Sequence, residues 1–251
     1  MQFWEACSEG KVDEVRKLLQ SEQININQAS DGKTPFFISC EKGHIEIVKL
    51  LLNDHRIDIN KAEKDGSTPF HIACYNGYID IVKLLLNDLR IDTNKAKNDD
   101  RTPFWIACDY GHIEIVKLLL NDNRVDINKA ANEGDNYLKT PFWIACGNGH
   151  IEIVKLLLND NRIDFNKASN RGYTPFYVAC YDGHIEIVKL LLNDERVDIN
   201  KADNDGWTPF YMACQGDYNE GYTIDIVLLF LETPRGIFFF IFFICFFQLV
   251  N

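Results

Sequence analysis

The chain has 251 residues, a formal net charge of −11 and a pI near 5.0. That balance argues against a nucleic-acid partner, because engaging a phosphate backbone needs clustered Lys and Arg, and it suits a basic or aromatic protein surface better. The run Met1 to Cys7 has neither a basic end nor an apolar stretch, so no secretory leader is expected and a cytoplasmic or nuclear location follows.

Residues 1–29 read as a degenerate copy of a unit that becomes explicit further on. Thr-Pro-Phe stands at Thr34, Thr68, Thr102, Thr140, Thr174 and Thr208, spaced by 34, 34, 38, 34 and 34 residues. A fixed period in that range marks a stacked repeat. In each copy Thr is a favourable N-cap and Pro a favourable first helical residue, since its missing N–H has no partner there. A first helix of about two turns is expected from the triplet to a Gly such as Gly111, which allows a tight reversal. A second helix follows, as in Ile113 to Leu120, apolar around most of its circumference. Such a pair cannot cover itself, and stacking pairs side by side buries both flanks.

The departures from the unit are informative in chain order. In residues 1–29, Glu5 and Glu14 fall where later copies have Ile38 and Ile47, as expected of a capping unit whose outer face meets water, and this unit reads as the true start of the array. Five repeats occupy 30–202. Their connecting hairpins carry Asp31-Gly32 or Asp65-Gly66 at the tip, whereas Asp100 stands where Gly is usual. The fifth copy has four extra residues within Ala131 to Lys139, in the finger and outside the packed helices, centred on Tyr137 and Leu138. The last, stretched copy covers 203–235, with five extra residues between Cys214 and Ile226.

Residues 236–251 form a Phe- and Ile-rich tail. As a helix its apolar run 237–250 spans about 21 Å, against about 30 Å for a hydrocarbon core. A hydrophobic lid on the array, a membrane anchor, an exposed sticky segment and a translated non-coding stretch all remain open for it.

The six T-P-F triplets, each followed by G-[HY]-x-[ED]-I-V or a stretched version of it, resemble the ankyrin repeat over about Phe3 to Arg235. The resemblance implies an all-α solenoid of about seven stacked helix-turn-helix units with short hairpin fingers. It also implies a concave binding surface lined by the fingers and the ends of the first helices. Three features depart from the pattern. Phe replaces the usual Leu, only His71 keeps the family's His, and the turn N-D-x-R-[IV]-D-x-N is one residue longer than the common form. That turn lacks the usual Gly C-cap and leaves Asn or Asp to replace it.

Little in the sequence points to catalysis. Of eight Cys, seven (Cys7, Cys40, Cys74, Cys108, Cys146, Cys180 and Cys214) hold the same place in successive copies. Helices packed about 8–10 Å apart exceed the Cα separation a disulfide tolerates, so free thiols in the core are expected. No C-x-x-C pair suggests zinc, and no catalytic or nucleotide-binding fingerprint appears. His44, His112, His150 and His184 share one setting after Gly, which points to a structural hydrogen bond at a helix start. No catalytic residue, metal or cofactor is expected.

Positions that differ between copies are the candidates for partner contact. Before T-P-F stand Lys33, Arg101, Lys139, Tyr173 and Trp207; after the Cys come Glu41 and Lys42, Tyr75 and Asn76, Asp109 and Tyr110, Tyr181 and Asp182. With Tyr137 and Leu138 these form the expected partner-binding set, rich in the residue types that dominate interface energetics. Neutral variation on a solvated face is the alternative for them. The row Phe37, Trp105, Trp143, Tyr177 and Tyr211 is assigned to inter-repeat packing, with any polar tip bonded nearby. The expected function is a non-catalytic scaffold binding a protein or peptide, with a membrane-tethered adaptor anchored by the tail as the alternative.

Overall fold

The computed structural model describes residues 2–133, 137–215 and 222–235. Among them fourteen α-helices fall into seven antiparallel pairs, in chain order α1 (Gln2–Ser8), α2 (Val12–Leu19), α3 (Pro35–Glu41), α4 (Ile45–Leu52), α5 (Pro69–Tyr75), α6 (Ile79–Leu86), α7 (Pro103–Asp109), α8 (Ile113–Leu120), α9 (Pro141–Gly147), α10 (Ile151–Leu158), α11 (Pro175–Tyr181), α12 (Ile185–Leu192), α13 (Pro209–Gln215) and α14 (Tyr222–Glu232). Two short strands, β1 (Ala131–Glu133) and β2 (Tyr137–Lys139), pair in the longer finger. The expected helix-pair architecture is therefore present. Residues 134–136, residues 216–221 of the stretched copy and the apolar tail 236–251 lie outside the described residues, and among the described ones no helix is long and apolar enough to cross a membrane.

The chain divides into two compact stacks, residues 1–131 and 132–251. In the first, the inner helices α1, α3, α5 and α7 pack in sequence, as do the outer helices α2, α4, α6 and α8. In the second, α9, α11 and α13 form the inner row and α10, α12 and α14 the outer one.

Local chemistry sets each inner helix. The hydroxyl of Thr34 accepts from Phe37 N at 3.1 Å, Thr102 from Trp105 N at 3.2 Å and Thr174 from Tyr177 N at 3.0 Å, each with Pro at the first helical position. These caps satisfy a donor that the helix start leaves free. The core follows from the next residue: Phe36, Phe70, Phe104, Phe142 and Phe176 are essentially fully buried. In the last pair, Phe230 of α14 enters the same layer, edge-on to Phe176 and Phe210 at 5.8 and 5.1 Å.

Six of the seven repeated thiols, Cys7 to Cys180, are free and buried, and burial pushes the Cys7 thiol up to about 12. Cys214 is the exception and is exposed. At the other end Glu5 is exposed, while Glu14 accepts from Gln2 Nε2 at 3.3 Å.

The turn after each outer helix differs from expectation. Asn53, Asn87, Asn121 and Asn159 remain right-handed, so neither Asn nor Asp reproduces a left-handed Gly cap. The Arg of the following repeat closes the helix instead. Arg90 Nη2 donates to Leu52 O at 2.9 Å, and Arg196 Nη2 to Leu158 O at 2.7 Å, each reaching the carbonyl end of the preceding outer helix. A fork holds the guanidinium in place, as where Asp54 accepts from Arg56 Nε at 2.9 Å and Nη2 at 2.6 Å. That pairing lowers the Asp54 pKa to about 2.

An asparagine ladder runs beside these forks. Asn60 Nδ2 donates to Arg90 O at 2.7 Å while its Oδ1 accepts from Asp92 N at 3.0 Å, and Asn166 does the same for Arg196 O and Asp198 N. One amide thus satisfies both backbone groups of the next turn, which an Asp or Leu at that site would leave half-paired or unpaired.

Candidate functional site

The fingers and the C-terminal ends of the inner helices carry the side chains that differ between repeats. One relation recurs along the fingers: the residue before T-P-F lies on the aromatic ring four positions later. Lys33 Nζ stands 5.6 Å from the Phe37 ring, Arg101 5.7 Å from Trp105 and Lys139 4.7 Å from Trp143. In the last two repeats the upper partner is itself aromatic. Tyr173 stacks on Tyr177 at 4.6 Å and 7°, and Trp207 on Tyr211 at 4.2 Å and 20°.

The lower rings brace the next finger. Trp143 Nε1 donates to Tyr173 O at 2.8 Å, and His71 Nε2 to Arg101 O at 3.1 Å, so Trp does at one copy what His does at another. Tyr177 instead sends its hydroxyl to Asp203 Oδ2 at 2.8 Å. Asp203 is buried at the base of the last finger, and its Oδ1 also accepts from Asp205 N and Trp207 N at 3.0 and 2.8 Å. Burial, then the bond to that carboxylate, raises the Tyr177 phenol well above its ordinary value. Phe37, Trp105, Trp143 and Tyr177 are buried, as the assignment of this row to packing expects, and Tyr211 is half-buried.

At the inner-helix ends, Tyr75 and Tyr110 meet edge-to-face at 4.4 Å and are 43% and 45% exposed. Tyr181 is 51% exposed beside exposed Asp182. Lys42 is exposed, Asp109 half-buried, and Leu138 exposed on β2; the Tyr137 side chain lies outside the described residues.

Several candidates also have a structural role. Lys33 pairs with Glu41 at 2.6 Å, Arg101 with Asp99 at 2.6 Å, and Asn76 Nδ2 donates to Glu41 O at 3.1 Å. Tyr173 and Trp207 are held by their stacks. Tyr75, Tyr110, Tyr181 and Trp207 are the exposed aromatic candidates.

His44, His112 and His184 make the structural hydrogen bond expected of them, but across repeats. Their side chains do not cap their own helices. His44 Nε2 donates to Ser8 O at 3.1 Å, His112 to Tyr75 O at 2.8 Å and His184 to Gly147 O at 2.7 Å, all carbonyls of the preceding repeat. Each ring stands against a Gly of that repeat, Gly10, Gly77 or Gly149, a contact that a single repeat read in isolation does not show.

An open hollow of about 740 Å³ lies at the ends of α2 and α4, lined by Leu19, Leu50, Asp54 and Arg56, away from the aromatic row. Among the described residues no cluster of His, Cys, Asp and Glu is placed to hold a metal ion.

Comparison with known proteins agrees with this geometry. A family model described as ankyrin repeats matches the chain three times, over residues 3–97, 90–169 and 161–237. No curated protein matches it. The chain belongs to the ankyrin-repeat family.

Proposed function

We propose that the chain is a non-catalytic scaffold that binds a protein or an extended peptide across its fingers and inner-helix ends. Ankyrin repeats are generally protein-interaction modules. The observation that carries the assignment to these positions is the exposure of Tyr75, Tyr110, Tyr181 and Trp207, while the outer helices present Glu46–Lys49 and Glu114–Lys117 ion pairs to water. Large aromatic side chains with few rotatable bonds contribute contact area at low entropic cost. Lys33, Glu41, Lys42, Asn76, Arg101, Asp109, Lys139, Tyr173, Asp182 and Leu138 form the polar and apolar surround in this reading.

Site-specific photo-crosslinking tests it. Benzoylphenylalanine placed at Tyr75, Tyr110 or Tyr181 in the native cell is expected to trap a common protein, and the same group at Glu114 or Glu186 on the outer helices is not. Equal capture at both sets of positions would place the contact elsewhere.

A further inference from the structure

The layer above the finger rings changes chemistry within the second stack. At Lys139 the chain supplies its own cation to Trp143, as Lys33 and Arg101 do for Phe37 and Trp105 in the first stack. At Tyr173 and Trp207 the chain supplies another ring instead, and Trp207, 45% exposed, leaves its second face open. The negative face of a ring attracts a cation, and among the described residues none is set on that of Trp207.

Charge around these stacks points the same way. Asp203 is buried at the base of the last finger, bonded to the Tyr177 hydroxyl and to the Asp205 and Trp207 N–H groups, and no ion pair reaches it among the described residues. Asp205, in the same finger, is exposed. Residues 132–251 hold nine Lys and Arg against sixteen Asp and Glu, so they carry −7 of the −11. A buried carboxylate bonded to the hydroxyl of one stack and the backbone of the other adds to the pull of the rings on a cation. Guanidinium suits the position better than ammonium, because it is planar, stacks on aromatic faces and is more weakly hydrated.

We propose that the last two fingers of the second stack bind an arginine-containing extended segment of a partner protein, with guanidinium groups laid on Trp207 and Tyr173 as a third layer over Tyr211 and Tyr177. This partner chemistry rests on the scaffold reading above and makes it specific.

The test uses the full chain and a fluorescein-labelled peptide alternating Gly and Arg, with counterparts in which every Arg is Lys or citrulline. Citrulline keeps the planar shape and removes the charge. Anisotropy is read at roughly physiological ionic strength, where long-range attraction is screened. The Arg peptide is expected to bind, the Lys peptide more weakly, and the citrulline peptide about tenfold more weakly or worse. Trp207→Arg and Tyr173→Lys install cations that the chain already carries at Arg101 and Lys139, and each is expected to lower affinity about tenfold without a change in thermal unfolding. Glu186→Gln removes one charge on an outer helix and is expected to leave affinity as it was.

Three outcomes overturn the proposal: no binding of the Arg peptide, equal binding of the citrulline peptide, or equal losses from Glu186→Gln and Trp207→Arg. If the Arg peptide fails while crosslinks at Tyr75 and Tyr110 persist, the partner chemistry is wrong and the scaffold reading stands. If the Arg peptide binds while those crosslinks are absent, the last two fingers take arginine and the wider contact across the inner-helix ends is wrong.

Discussion

Arg124 Nη2 donates to the Leu86 carbonyl at 2.7 Å and so closes an outer helix belonging to the repeat before it, but its Nη1 is buried without a protein acceptor. Two of the equivalent Nη1 groups are satisfied 35 residues back: Arg56 by Ser21 O at 3.2 Å and Arg196 by Asn161 Oδ1 at 2.9 Å. For Arg124 that position is Leu89, 87% exposed and without a polar atom in its side chain. Arg196 takes its acceptor from a side-chain amide, which Leu89 lacks.

Leu89→Asn is therefore expected to stabilise the first stack. The substitution removes little buried apolar area and supplies an amide oxygen where Asn161 already has one, and a satisfied buried donor contributes about 1 kcal/mol. A higher urea midpoint for Leu89→Asn than for Leu89→Ala would show it. Equal midpoints would mean that Arg124 already finds an acceptor in solution.

Gly149 and Gly206 separate two demands that glycine meets. Both have positive φ, +75° and +87°, but a Cβ on Gly149 would stand 2.7 Å from His184 Cε1, whereas one on Gly206 meets nothing within 4 Å. Gly206→Ala is expected to cost about 1–2 kcal/mol for the left-handed backbone alone. Gly149→Ala is expected to cost about 1 kcal/mol more, because it displaces the ring that bonds Gly147 O. Adding His184→Ala would recover part of that increment. Denaturation midpoints of the three variants decide it, and equal costs for the two glycines would show that the ring yields freely.

These cases show what was legible in the sequence. Period, caps and apolar faces set the helix pairs, because each is decided within a few neighbouring residues. The Arg bonds to the preceding helix carbonyls, the Asn ladder and the His contacts each join atoms about 30–38 residues apart, and a repeat considered singly contains only one partner of each. The stacking of residue i on ring i+4 was visible in principle, since Lys33 with Phe37 and Trp207 with Tyr211 keep the same offset. The acid bonded to it was not, because Asp203 is one of many finger carboxylates until Tyr177 is seen bonded to it.

His71 gives the first stack a pH dependence. Its Nε2–H donates to Arg101 O at 3.1 Å and its Nδ1 accepts from Thr68 N at 3.1 Å, an arrangement open only to the neutral ring. Burial lowers its pKa to about 4 from the ordinary 6.5. The unfolded chain thus takes up the proton first as pH falls. The stabilisation is fully present above about pH 6.5 and is lost as pH falls toward 4, with a total on the order of 3 kcal/mol. His71→Trp keeps a ring N–H for the finger, as Trp143 does, and removes the titration. The stability difference between pH 7 and pH 4.5 is expected to shrink in that variant, read by urea denaturation. An unchanged difference would assign the effect to other groups; the Asp54 fork titrates lower, toward pH 2.

Tyr177→Phe tests whether Asp203 depends on its phenol partner. The ring itself is tolerated, since Phe37 occupies the equivalent position in an earlier repeat and is fully buried. Only the hydroxyl is removed, which leaves Asp203 Oδ2 buried with one donor fewer, and a hydrogen bond to a charged group contributes about 1.5–3 kcal/mol. A loss in that range is expected for Tyr177→Phe. In an Asp203→Ala background the same change is expected to cost well under 1 kcal/mol, because the hydroxyl then has no carboxylate to satisfy. Additive losses in the double-mutant cycle would show that the phenol stabilises the stack through its packing against Tyr173 and not through the bond that ties one finger to the next.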